Sequence, residues 1–297
     1  AKFVEKLESI MKRIFSIFAT ALLCIGTVSA VSPQKLFFHC DKDTLKINEL
    51  LQRGADSGIT TPGKLAAAYG QWLLDTPYVA HTLEHDGDEV LTINIDELDC
   101  MTFVETVYAL VRTTLNGRYT WRDFANNLED IRYRNGELID YASRLHYASN
   151  WIIDNIHRGN LTETTRDIEG RKNVTKTLNY MSTHPDSYSA LADTTQLRKI
   201  REVEIGYRNH LIPYISKDAV HTKKVAAQLR DGDIVGLVTK ADGLDISHFG
   251  IILKDGNNVM FLNASSVGKK VRIEKNIADY LRSNRSVLGL RVVRIKP

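Results

Sequence analysis

Apolar residues recur three and four apart through the first two thirds of the chain and every second position in the last quarter, and this change of period sets the expected architecture. Residues 45–54 read as a short helix stopped at Gly54, and residues 60–75 as a second helix opening at Pro62, whose ring suits a first turn. Residues 90–95 alternate as a strand. Phe103, Val104, Val107, Tyr108, Val111 and Leu115 then form the stripe of a half-buried helix. It opens at Asp99, a strong N-cap type, and stops at Asn116-Gly117. Helical periodicity returns over 121–133, 140–159, 197–211 and 219–229, whereas 160–193, rich in Thr, Asn, Asp and Ser, reads as irregular.

From Asp231 the chain breaks into short β-rich runs at 231–240, 246–254, 258–266, 269–274 and 288–296, several of them separated by Asp-Gly or Gly-Asn-Asn turn signals. Helices first and an antiparallel sheet afterwards predict an α+β fold. The sheet-forming part is too short for a core of its own, so the helix opening at Asp99 is expected to cover one sheet face. No period of 20–50 residues repeats, which argues against a solenoid.

Composition narrows little: 297 residues, 43% hydrophobic and 25% charged, are ordinary for one large or two small soluble domains. The net charge is +3, of which +2 falls in residues 1–30, and no dense basic tract is interleaved with aromatics, so nucleic acid is not an expected partner. The N-terminus changes the picture more. Met11-Lys12-Arg13, an apolar run without charge from Ile14 until Lys35, and Val28-Ser29-Ala30 as a small-residue cleavage site predict a secretory signal peptide over 1–30. Residues 1–10 then form an upstream extension and 31–297 the mature domain, exported and without stable membrane insertion after cleavage. An uncleaved anchor is the alternative, because the run approaches bilayer-spanning length. Cys24 leaves with the signal, and Leu23 before it is too large for a lipidation site. In an oxidising compartment a disulfide between the remaining Cys40 and Cys100 competes with a free thiol that has a task.

Cys100 stands at the first position of the Asp99 helix, where the dipole favours a thiolate; the alternative is a small residue that merely packs. Thiol catalysis needs a base and a group that orients it. His248 is the candidate base, on a strand whose alternation places His248, Gly250 and Ile252 on one face, Gly250 leaving space beside the imidazole; a histidine on a solvated face is the competing reading. A hairpin through Lys254-Asp255-Gly256 would bring Asn263 near His248, although a strand-end asparagine also satisfies local backbone. The nine histidines are scattered, with no HExxH or paired CxxC spacing, and neither a metal nor another cofactor is expected.

The ordered set TPYVAHTLE, LDCMTFVET, DGDIV, ISHFGIIL and FLNASS resembles the NlpC-type papain-like cell-wall hydrolases. The stretch RYRNGELIDYASRLHYASNWIIDN resembles the insertion of a bacterial branch described as N-acetylmuramoyl-L-alanine amidase-like, and the likeness covers nearly all of residues 60–297. The resemblance implies a papain-like fold in which the Cys100 helix packs on a small antiparallel β-barrel, with a helical insertion at about 118–230 in a single domain. It implies a periplasmic or extracellular, monomeric hydrolase acting on peptidoglycan fragments, with Cys100 as nucleophile, His248 as base and Asn263 as orienter. Tyr78 and the backbone N–H of Cys100 would support the oxyanion. Arg144, His146 and Tyr147 are implied in substrate recognition, and Asp99 and Ser247, beside the nucleophile and the base, complete the candidate set. One departure is Asn263, where the family often has histidine; another is Met101 in place of a small polar residue. The implied reaction is hydrolysis of the amide between N-acetylmuramic acid and L-alanine. A γ-D-glutamyl–diamino acid endopeptidase, a non-catalytic wall-binding module and an acyltransferase are the alternatives.

Overall fold

One strand, Val287–Ile295 (β10), organises the sheet: it is almost wholly buried and pairs antiparallel with three others. The structure, a computed structural model, describes residues 36–297; the expected signal peptide over 1–30, with Cys24, lies outside the described residues. In chain order come β1 (Leu36–Phe38), α1 (Asp43–Asp56), α2 (Pro62–Trp72), β2 (Leu91–Ile93), α3 (Cys100–Leu115), α4 (Trp121–Arg132) and α5 (Ala148–His157). They are followed by β3 (Leu161–Glu163), β4 (Arg171–Lys176), α6 (Thr194–Ile205), β5 (His210–Ser216), β6 (Ile234–Thr239), β7 (Ile246–Asp255), β8 (Asn258–Ser265), β9 (Lys270–Glu274), α7 (Ile277–Ser283) and β10. β1 and β2 form a small parallel pair. The main sheet is antiparallel in the order β4-β5-β10-β6-β7-β8-β9, with β3 also paired to β10.

The mixed α+β class and the hairpin β7–β8 follow the sequence pattern, and four expectations are corrected. The hydrogen-bonded path runs from β4 to β9 without joining its ends among the described residues, so the sheet is not the closed barrel expected. Residues 118–230 are not uniformly helical: β3, β4 and β5 lie within them and belong to the main sheet. β4 (RKNVTK) is an exposed edge strand whose polar residues carry no apolar alternation, and the helix expected over 197–211 ends at Ile205, before β5. Residues 140–159 break into a short turn of helix at Tyr141–Ser143 and α5. α7 was not expected, although Asn276 caps it by accepting the N–H groups of Ala278 and Asp279.

α3 is more enclosed than a stripe would require, with twelve of its sixteen residues buried. α1, α2 and α4 pack around it, and β7 and β8 lie under it. Its polar residues are satisfied in place: Thr113 Oγ1 donates to Ala109 O at 2.7 Å, and Thr114 Oγ1 meets Tyr69 Oη at 2.5 Å. Gly54 serves this packing and does not end α1, because a Cβ there would come within 1.9 Å of Tyr69 Oη. Glu105, one and a half turns along α3 from Cys100, pairs with Arg132 of α4 at 2.7 Å, both side chains being only 3% exposed. Arg132 also donates to the carbonyl of Thr92 on β2 at 2.7 Å.

Candidate active site

The start of α3 is held from both sides of its cap. The Asp99 carboxylate accepts the N–H groups of Met101 at 2.9 Å and Thr102 at 2.8 Å, and Thr102 Oγ1 accepts the N–H of Asp99 at 2.8 Å. Asp99 is therefore committed to the helix start, and Cys100 takes the first helical position. The thiol faces three backbone donors, the N–H groups of Phe249, Cys100 and Met101. Burial nevertheless pushes the thiol pKa up to about 12; the Asp99 charge adds to that rise and the three N–H groups offset only part of it. The helix dipole expected to favour a thiolate at Cys100 is thus opposed by desolvation. Cys40 and Cys100 are both free thiols.

The donor from Phe249 brings β7 to the sulfur, and His248 is the residue before it. His248 Nε2 donates to Asn263 Oδ1 at 2.9 Å, which leaves Nδ1 as the acceptor of the ring. The β7–β8 register, with Ile251 opposite Leu262, extends to place Gly250 across from Asn263. Asn263 is fully buried. Burial lowers the His248 pKa below its ordinary value, while the Asn263 hydrogen bond and the charges of Asp99 and Glu274 act the other way. Partial burial makes both the thiol and the imidazole favour their neutral forms here.

The space expected beside the imidazole at Gly250 is filled. A Cβ on Gly250 would come within 2.4 Å of the Phe261 ring and 2.6 Å of the Leu262 carbonyl. That ring meets His248 edge-on, with centroids 5.9 Å apart at 75°. Gly250→Ala is expected to lower stability by about 1–3 kcal/mol and to reduce turnover by displacing Phe261 from the imidazole. Urea unfolding and steady-state rates check both; an unchanged unfolding midpoint would refute the packing role.

Tyr78 joins this centre from a strap between two elements. Its N–H donates to Lys269 O at 2.9 Å, the N–H of Val79 donates to Leu98 O at 3.3 Å, and Pro77 bridges Lys270 at the start of β9. Burial first, then the charges of Cys100 and Asp99, raise the Tyr78 pKa. Ser247 lies on the opposite side of β7 from His248 and reaches the Leu237 carbonyl at 3.4 Å. Arg144, His146 and Tyr147 are engaged elsewhere. Arg144 pairs with Glu84 at 2.5 Å and Glu89 at 3.5 Å, and donates to Leu83 O at 3.0 Å. His146 Nε2 lies 2.7 Å from Tyr141 O, and burial holds its pKa well below the ordinary value. Tyr147 donates to Glu204 at 2.7 Å and accepts the N–H of Met181 at 2.9 Å. These contacts tie the 83–89 segment, the 141–147 turn and α6 together.

Sequence reasoning missed Tyr280 on α7 and Glu274 on β9. Tyr280 packs on Phe261 with ring centroids 5.2 Å apart, and the charges of Glu274 and Cys100 both reach its hydroxyl. The Asn276 cap signalled α7, and with it the placement of Tyr280. Among the described residues no group of three or more His, Cys, Asp or Glu side chains is placed to hold a metal ion, and no helix is long and apolar enough to cross a membrane.

The arrangement is that of a mixed α+β protein with a thiol, an imidazole and a buried amide gathered where α3 meets β7 and β8. Residues 68–289 match the N-acetylmuramoyl-L-alanine amidase-like family, and the chain belongs to it. Among solved structures, an N-acetylmuramoyl-L-alanine amidase from Bacteroides uniformis is 36% identical with a TM-score of 0.75, covering 80% of this chain and 99% of its own. A Bacteroides fragilis protein provisionally described as a xylanase is also 36% identical, with a TM-score of 0.71 over 76% of this chain and 99% of its own. A Legionella pneumophila protein at 21% identity and a TM-score of 0.66, covering 85% of this chain and 95% of its own, shares the fold. No curated protein matches the chain.

Proposed function

We propose that the chain is a cysteine-dependent amidase of papain-like, NlpC-type construction that cleaves the bond between N-acetylmuramic acid and L-alanine in peptidoglycan fragments. The observation that carries this reading is the convergence of the Cys100 thiol, held against the Phe249 N–H, with the His248–Asn263 pair. The family and the Bacteroides uniformis relative support the choice of bond. His248 Nδ1 takes the thiol proton as sulfur attacks the lactyl carbonyl. The Cys100 N–H and the Tyr78 hydroxyl stabilise the oxyanion. His248 then returns the proton to the departing L-alanine amine, and water activated by the same imidazole releases the muramoyl group. The enzyme acts as an exported monomer, and needs no cofactor for these steps.

Mass spectrometry of defined muropeptides incubated with residues 31–297 tests the proposal. A free stem beginning with L-alanine supports it. A cut after D-glutamate would assign the endopeptidase reaction instead, and binding without any cut would leave a wall-binding module.

The pH profile gives a second check. Because burial lowers the His248 pKa, the acid limb of kcat/KM is expected below pH 6.5, the ordinary imidazole value. Asn263 accepts from Nε2 and so favours the imidazolium; Asn263→Ala should move the limb to still lower pH and cut kcat about 10- to 100-fold. An unshifted limb would show that Asn263 does not orient the base.

A further inference from the structure

A cavity of about 650 Å³ opens beside the catalytic row, lined by Ser265, Val267, Arg272, Glu274, Tyr280 and the Ser283–Arg285 turn. Its position follows from strand register. Asn263 stands opposite Arg272 and, by extension of the β7–β8 register, opposite Gly250; directly paired residues in an antiparallel sheet share a face, so a row Gly250–Asn263–Arg272 crosses β7, β8 and β9, and His248, two residues before Gly250, lies on the same face beside it. Tyr280 lines this cavity and packs on the Phe261 ring that meets His248 edge-on.

The lining carries an unbalanced positive charge. Arg272 lies along Gly268, where a Cβ would come within 2.6 Å of its side chain, and its Nε reaches Glu274 at 3.1 Å. Arg285 forms no ion pair among the described residues and is exposed at the rim. Val267, 92% exposed, adds an apolar lip.

Resting on the amidase reading, we infer that this cavity holds the stem peptide through a free carboxylate that Arg272 and Arg285 receive. Two arguments place the peptide there and not the sugar. The imidazole must protonate the leaving amine, so the leaving group lies on the imidazole side, where the row continues to Arg272. The muramoyl part of a lactyl amide has no carboxylate to offer, whereas the stem does. Two strand spacings separate β7 from β9, roughly 9–10 Å, a span that an extended peptide covers in about three residues. The recognised carboxylate therefore belongs to the second or third stem residue. Arg285 is the specificity determinant, since Arg272 shares its charge with Glu274.

The test uses three substrates: muramoyl-L-alanyl-D-glutamate, its α-carboxamide, and a tripeptide form ending in a diamino acid. Wild-type enzyme is expected to prefer the free α-carboxylate over the carboxamide by about tenfold in kcat/KM, the effect of one charge-assisted contact. If the third residue supplies the carboxylate, the preference appears instead as a gain of the tripeptide over the dipeptide. In either case Arg285→Gln should bring the preference towards one and Arg285→Glu should reverse it, mainly through KM. Equal preferences in wild type and both variants overturn the inference. Calorimetry of the released stem peptide and its carboxamide with the Cys100→Ala protein separates the two proposals. Charge-dependent binding that is lost in Cys100→Ala/Arg285→Gln supports the cavity assignment even where no muramoyl bond is cut, and binding blind to the carboxylate refutes it even where the amidase reaction is found.

Discussion

Cys100→Ala is expected to eliminate release of L-alanyl stem peptide, a fall in kcat of about 10⁴-fold or more, while costing on the order of 1 kcal/mol or less in stability. The size of the fall follows from removal of the proposed nucleophile, and the small stability cost from the cap: Asp99 and Thr102 hold the helix start without the thiol. The resting state adds a sharper expectation. With its pKa pushed up to about 12 by burial, the thiol is expected to be protonated near neutrality, so in the proposed reaction it would act as a general-base nucleophile and not as a preformed ion pair. Inactivation by iodoacetamide should accelerate with rising pH and show no plateau between about pH 5 and 8. A rate already level at pH 5 would establish a thiolate–imidazolium pair and refute the neutral one. Retained turnover in Cys100→Ala would end the thiol mechanism itself.

The other large effect lies beneath the catalytic helix. Arg132→Met leaves Glu105 as a buried carboxylate without its partner and is expected to cost about 3–5 kcal/mol in urea unfolding. Glu105→Leu combined with Arg132→Met should recover most of that loss, because the pair then leaves no uncompensated charge. Burial already raises the Glu105 pKa above 4.5, and the Arg132 charge opposes the rise. Without Arg132 the folded-state pKa climbs further. The native state then binds more protons than the unfolded state at pH values just above 4.5, so the single variant should gain stability relative to wild type as the pH falls towards that value. A double variant no more stable than the single would show that the pair is not the source of the loss. Turnover should fall in parallel, since Glu105 and Cys100 share one rigid helix.

Much of the catalytic geometry was legible because it is local. Asp99 announced a helix start, and Lys254-Asp255-Gly256 announced the hairpin whose register delivers Asn263 to His248. Burial was not legible. The dipole at Cys100 can be read from the sequence, whereas the desolvation that outweighs it depends on the elements that close around α3. The partners of RLHY were not legible either: the resemblance implied a substrate contact for these residues, and the sequence did not show that Arg144 pairs with Glu84 and Glu89 and Tyr147 with Glu204, partners 55 to 60 positions away. β4 escaped notice for a different reason. An edge strand needs hydrogen-bonding partners more than an apolar face, and Arg171–Lys176 shows only the former.

The place of β10 also dictates when the protein can be assembled. Every neighbour of that central strand is synthesised before it, and Thr164 and Val292, joined through Thr164 Oγ1, are 128 positions apart. Until residues 287–295 emerge, β5 and β6 have an empty lane between them, and β3 has no partner. The β4–β5 and β6–β9 pairings can form earlier, but joining them must await nearly the whole described chain, and these distant pairings are slow to form. A ribosome-bound chain of this kind therefore holds its two groups of strands unjoined until synthesis is nearly finished.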